Sequence, residues 1–126
     1  MAIAVLMGLV APPAQAATLW WDGGRTNIPA NGNGASQGGS GIWNTTIRNW
    51  DAGAVPHANW VNANNDTAVF GGTAGRVTNG ADITVGRLIF ATANYVLTNS
   101  ILTFGTAGSI SNSGTATFGC CLAGSA

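Results

Sequence analysis

The sequence predicts an all-β chain, a parallel β-helix of short coils entered through a tryptophan-rich N-terminal cap. Three observations carry that expectation. The 126 residues include no Lys and no Glu, the residues that a solvated helix face normally displays. The polar surface must then come from Thr, Ser and Asn, which suit strands and turns. From Leu88 to Phe118, triplets recur every seven residues: LIF, YVL, LTF, SIS and ATF, with spacers of mostly small or polar residues. All five tryptophans, Trp20, Trp21, Trp43, Trp50 and Trp60, precede this rhythm.

The chain opens on MAIAVLMGLVAPPAQAA, an apolar run, a Pro-Pro break and Ala14-Gln15-Ala16. This is the hydrophobic region and small-residue cleavage pattern of an export signal. Residues 1–16 therefore read as a signal peptide cut after Ala16, truncated or started late because no basic residue precedes the run. The run is too short to span a bilayer. The competing reading is a buried apolar strand or helix. Residues 17–65 read as the Trp-, Gly- and Asn-rich cap region. Within them NIPANGNGASQGGSG has the composition of a flexible surface loop.

Residues 66–126 read as a β-helix repeat segment. Inside each triplet the residues alternate as a half-buried strand requires. Leu88 and Phe90 share one face, Leu102 and Phe104 point in with Thr103 out, Ala116 and Phe118 point in with Thr117 out, and Ile83 and Val85 follow the same rule. Three sevens give a coil of about 21 residues. That period stacks Ile83 over Phe104 and Leu97 over Phe118, apolar on apolar. It also places Leu88 and Phe90 over Ser109 and Ser111, with Ile110 outside unless the register shifts by one. An antiparallel sandwich is the rival. Ile83 to Ala126 holds about two coils where solenoids need about three, so the repeat segment is expected to be incomplete.

WWDGG, IWNTTIRNWDAGAVP, NNDTAVFGGTAGRVT and ITVGRLIFATANYVLTNSILTFG together resemble the autotransporter-associated β-strand repeat proteins. The likeness covers about Leu19 to Phe118, and its most distinctive part is the order DTAVFGG, ITVGRLIF, YVL, LTFG. The resemblance implies an exported bacterial surface protein whose passenger is a right-handed parallel β-helix. Many such proteins end in an outer-membrane barrel or another sorting signal. Neither is present in this sequence. The family has no shared catalytic residues to carry over.

The motifs agree with a non-enzymatic reading. Arg25, Arg48, Arg76 and Arg87 balance Asp22, Asp51, Asp66 and Asp82, so no field draws nucleic acid or an anionic membrane. The carboxylates are scattered. Asp22 before Gly23-Gly24 and Asp66 before Thr67 suit turns and caps. His57 follows Pro56 and reads as a solvated loop histidine. Ser36, Ser40 and Ser100 lack the G-x-S-x-G turn. GGTAGRVTNGAD has the glycines of a calcium-binding nonapeptide, but its Asp comes late and does not recur. No metal or cofactor is expected. Asn44-Thr45-Thr46 and Asn65-Asp66-Thr67 match the glycosylation pattern by abundance of Asn and Thr. Cys120 and Cys121 are too close for an ordinary disulfide and read as small strand residues. An intermolecular disulfide is the other option.

The tryptophans remain. Trp20, Trp21, Trp43, Trp50 and Trp60 are candidates for stacking on an extracellular glycan, or for a plug over the open end of the first coil. The expected role is a structural, surface-presenting passenger segment of adhesin-like kind at the exterior of a Gram-negative-type bacterium, touching glycan or a host or matrix surface. The alternatives are a carbohydrate-binding module and a fragment of a β-helical polysaccharide-degrading enzyme. For the enzyme, Asp82 and Arg87 are the pair to inspect.

Overall fold

The computed structural model describes residues 16–23 and 31–124. The export signal proposed for residues 1–16 lies outside them except for Ala16, as do residues 27–30 of the Gly- and Asn-rich loop. Eight strands follow in order: β1 (Thr18–Trp21), β2 (Gly41–Trp43), β3 (Trp50–Asp51), β4 (Thr67–Phe70), β5 (Arg76–Asn79), β6 (Ile83–Phe90), β7 (Tyr95–Asn112) and β8 (Ala116–Gly124). A short 3-10 turn at Asn62–Asn64 precedes β4. The protein is all-β, with one sheet curled into a half-barrel. Its strand order is β2-β5-β7-β6-β4-β1-β3, with β8 added to β7.

Direction of pairing is the informative feature. β1 meets β3 antiparallel. The pairs β1–β4, β2–β5, β4–β6, β5–β7, β6–β7 and β7–β8 are all parallel. Parallel neighbours need long crossovers and cannot be hairpins. β7 serves three neighbours: Val96 to Asn99 lies on β5, Leu102 to Phe104 and Ser109 to Asn112 lie on β6, and β8 pairs along Tyr95 to Asn99 and Leu102 to Phe104. Register shifts fall between Val85 and Arg87 and between Asn99 and Leu102, where the strands turn. Asn65, Asn94 and Asn99 take left-handed backbone at φ 56°, 71° and 81°, which Asn tolerates better than most residues.

The constant 21-residue period does not hold. Val77 faces Leu97, 20 residues on, and Leu97 faces Phe118, 21 on. Ile83 faces Leu102, 19 on, not Phe104, and Leu88 faces Ile110, 22 on. Ser109 and Ser111 therefore sit beside Arg87 and Ile89 instead of Leu88 and Phe90. Corners absorb a residue more or less, and the register settles where apolar side chains share the inner face.

The inner columns are Leu19, Ala68, Leu88 and Ile110 on one side and Ile83, Leu102 and Leu122 on another. Leu19, Ala68, Leu88, Ile83 and Leu102 are buried, while Ile110 and Leu122, in the last layer, are 45% and 48% exposed. Each full burial of such a side chain stabilises by about 1.5–3 kcal/mol. β1 and β2, from the Trp-rich region, form the first layer of the same sheet through β4 and β5.

Candidate functional site

Alternation on β1 sends Leu19 and Trp21 inward and Trp20 outward. Trp21, Trp43, Trp50 and Trp60 are each 0% exposed. Their rings form one cluster: Trp21–Trp50 centroids lie 5.1 Å apart, Trp43–Trp50 5.0 Å, Trp43–Trp60 4.9 Å and Trp50–Trp60 4.9 Å. Phe70 joins at 5.6 Å from Trp43 and from Trp50, and stacks on Phe90 at 5.2 Å. Edge-on and tilted pairs at these distances add about 0.5–1.5 kcal/mol beyond burial. Trp21 Nε1 donates to Gly39 O at 2.8 Å and Trp60 Nε1 to Thr84 O at 3.0 Å. Trp43 Nε1 and Trp50 Nε1 have no acceptor among the described residues.

A polar clasp holds the loops against this cluster. Asp22 Oδ2 meets His57 Nε2 at 2.5 Å and accepts from Asn31 Nδ2 at 3.1 Å, and Asp22 Oδ1 accepts from Gln37 N at 2.8 Å. Asp51 Oδ2 accepts from Asn33 N and Gly34 N at 3.0 Å each, and Oδ1 from Gly53 N at 2.6 Å. Asn49 Nδ2 donates to Gly23 O and Ile42 O. Ser36 Oγ donates to Trp21 O and accepts from Gly71 N. His57 is 1% exposed and Asp22 fully buried, which corrects the expectation of a solvated loop histidine. The reason is its carboxylate partner 35 residues earlier, a contact no local motif announces. Asn31, Asn33, Gly34 and Gln37 of the loop expected to be flexible are likewise tied down by Asp22 and Asp51.

Asp22, Asp51 and His57 each bring one candidate ligand atom within 4.8 Å of the others. All four carboxylate oxygens receive N–H donors or the imidazole, which ties the loops to one another. The pair singled out for the enzyme reading does not meet: Asp82 Oδ1 accepts from Ile101 N at 3.0 Å, and no ion pair links Asp82 to Arg87 among the described residues. Cys120 and Cys121 are free thiols, and burial pushes the Cys120 thiol above its ordinary range.

The outer surface is set by the same registers. On the β1–β4–β6 face, Trp20, Val69, Ile89 and Ser111 form one outward column and Thr18, Thr67, Arg87 and Ser109 the next. Trp20, Val69 and Ile89 are half-buried, and Arg87, Ser109 and Ser111 exposed. Of the five tryptophans proposed for stacking, Trp20 alone reaches this surface.

With the geometry set out, comparison finds the chain similar to an autotransporter. It is 43% identical over 122 residues to the adhesin BmaC autotransporter of Brucella suis biovar 1 (strain 1330), an alignment covering 92% of this chain. The chain spans about 3% of that relative's length. No family model matches the sequence, and no solved structure matches it. Among the described residues no helix is long and apolar enough to cross a membrane.

Proposed function

We propose that this chain is a structural passenger segment of an exported, adhesin-like surface protein. It would be built as a parallel β-helix whose Trp-rich region, residues 17–65, caps the first coil. The observation that carries the reading is the set of parallel pairs at spacings of 19–22 residues, with apolar residues superposed on the inner side. That is the arrangement by which short layers bury one continuous core. Likeness to an adhesin autotransporter supports a surface role without catalysis and a Gram-negative exterior. The buried Trp cluster beside the antiparallel β1–β3 pair supports the cap, because a coil edge left open would pair with other chains.

The test is expression of the full chain in a Gram-negative host. Mature protein beginning at Ala17 and recovered outside the cytoplasm is the expected result. Protein retaining Met1 and confined to the cytoplasm would overturn export and, with it, the surface role. Nuclear Overhauser contacts of parallel pattern between β5, β7 and β8 are expected, and antiparallel pairing of these strands would remove the β-helical reading.

A further inference from the structure

We propose that the Asp66 carboxylate is the seat of the amino terminus created by cleavage after Ala16, and that processing turns a backbone hydrogen bond into an ion pair that fixes the start of β1. The inference rests on the export reading above and adds what the cut does to the folded protein. Ala17 N donates to Asp66 Oδ1 at 2.7 Å, across 49 residues of chain. That acceptor is almost wholly enclosed, with Asp66 2% exposed. Ala16 and Ala17 are exposed, so the bond between them lies at the surface while the partner of the Ala17 nitrogen lies inside.

Backbone geometry puts the nitrogen there. Thr67 N donates to Ala17 O at 2.8 Å, and the residues that follow pair in register, Thr18 with Thr67 and Leu19 with Ala68. The ladder thus begins at Ala17, and the Asp66 side chain takes its first donor. Asp66 is itself held by the next layer, because its carbonyl accepts from Gly86 N at 2.8 Å. Strand residues advance by about 3.3 Å each, so an amino terminus one residue earlier or later would miss the carboxylate. Ala17 is the residue that a cut at the Ala14-Gln15-Ala16 pattern leaves first. The cleavage pattern in the sequence and the enclosed carboxylate in the fold therefore select the same atom independently.

The step is a hydrolysis. Water adds at the Ala16 carbonyl carbon, the bond from that carbon to Ala17 N breaks, and Ala16 leaves as a carboxylate. The freed nitrogen takes up the proton and becomes an α-ammonium, the charged form at neutral pH. The co-reactants are water and a peptidase selective for small residues. Before the cut a neutral N–H meets Asp66. After it a positive charge does, and charge-assisted bonds are roughly twice as strong as neutral ones. No arginine forms an ion pair with Asp66 among the described residues, so the new terminus meets no competing cation there.

The sequence contains no Lys, so the processed chain carries a single amine, the α-amine of Ala17. Acetylating it removes the charge and keeps an N–H donor. The experiment uses protein processed from the full chain, with the Ala17 end and one acetyl group confirmed by mass. Acetylation is expected to lower the thermal midpoint by about 4 °C or more and to leave the midpoint of Asp66→Asn nearly unchanged. On the unsubstituted protein it should also shift the carbon-13 signal of the Asp66 carboxyl, a readout that holds even where Asp66→Asn does not fold. An unchanged midpoint, an equal loss in Asp66→Asn or an unmoved carboxyl signal overturns the proposal. Those outcomes, obtained on protein that begins at Ala17, leave export standing, whereas a mature end at any other residue overturns both.

Discussion

Asp22 shows how much of this fold hangs on single side chains. One carboxylate joins β1 to His57, to Asn31 and to the backbone at Gln37, all inside the molecule. Removing one member of a buried, hydrogen-bonded pair leaves the other stranded in a low-dielectric site, at about 3–5 kcal/mol. Asp22→Ala is expected to lose that much by urea denaturation, whereas Asp82→Ala, on an exposed carboxylate, should lose much less. The clasp was not legible in the sequence. Asp22 and His57 stand in turn-rich stretches without periodicity, and their contact depends on how two loops fold over β1. A second residue-scale consequence concerns Tyr95, fully buried, whose hydroxyl donates between Gly71 O at 2.5 Å and Thr73 O at 3.0 Å. Burial pushes its pKa up to about 12, above the ordinary 10.0. The folded state then holds the proton more tightly than the unfolded chain. The stability this contributes is complete below pH 10 and is lost as pH rises through the folded value. Urea midpoints should therefore fall more between pH 9 and pH 11.5 for the native protein than for Tyr95→Phe. Parallel pH curves would show that the phenol carries none of the effect.

At the scale of elements, alternation was readable and register was not. Ile83, Val85, Leu88, Phe90 and Leu102 point inward as their triplets foretell, because two-residue periodicity is a local property of a strand. Which residue lies above which depends on corner lengths. Asn65, Asn94 and Asn99 set those corners by taking left-handed backbone, and no fixed repeat encodes their effect. Corner geometry also dictates Gly38. Its φ is 77°, and a β-carbon there would collide with Thr73 O and Gly71 O and stand 2.5 Å from the Tyr95 hydroxyl. The neighbouring Gly39 N also bonds Thr73 O at 2.6 Å, so the backbone has no room to retreat. Gly38→Ala is expected to destabilise by about 2 kcal/mol or more, from left-handed strain and the forced shift together. Gly53→Ala meets no atom within 4 Å and should cost only the strain, about 1–2 kcal/mol. Comparing the two thermal midpoints separates crowding from backbone preference.

On the proposed β-helical reading, stability across the whole molecule should be graded along the stack of layers. In an arrangement where each layer touches only its neighbours, protection depends on how many neighbours a layer has. β4 lies between β1 and β6, and Ala68 and Phe70 are buried on its inner side beneath the tryptophan cluster. Among the described residues β8 pairs with β7 alone, its inward Phe118 is only partly covered, and Leu122 is 48% exposed. From Leu88 to Ala126 there is no charged residue and no proline, so this layer lacks the usual devices that shield an edge. Local opening should therefore begin at β8 and reach the tryptophan end last. Hydrogen exchange under native conditions checks this: hydrogen-bonded amides of β4 should exchange at least about tenfold more slowly than those of β8, a gap of about 1.4 kcal/mol or more. Uniform protection from Thr67 to Gly124 would mean that the sheet opens as one cooperative unit, and the layered account of its stability would fail.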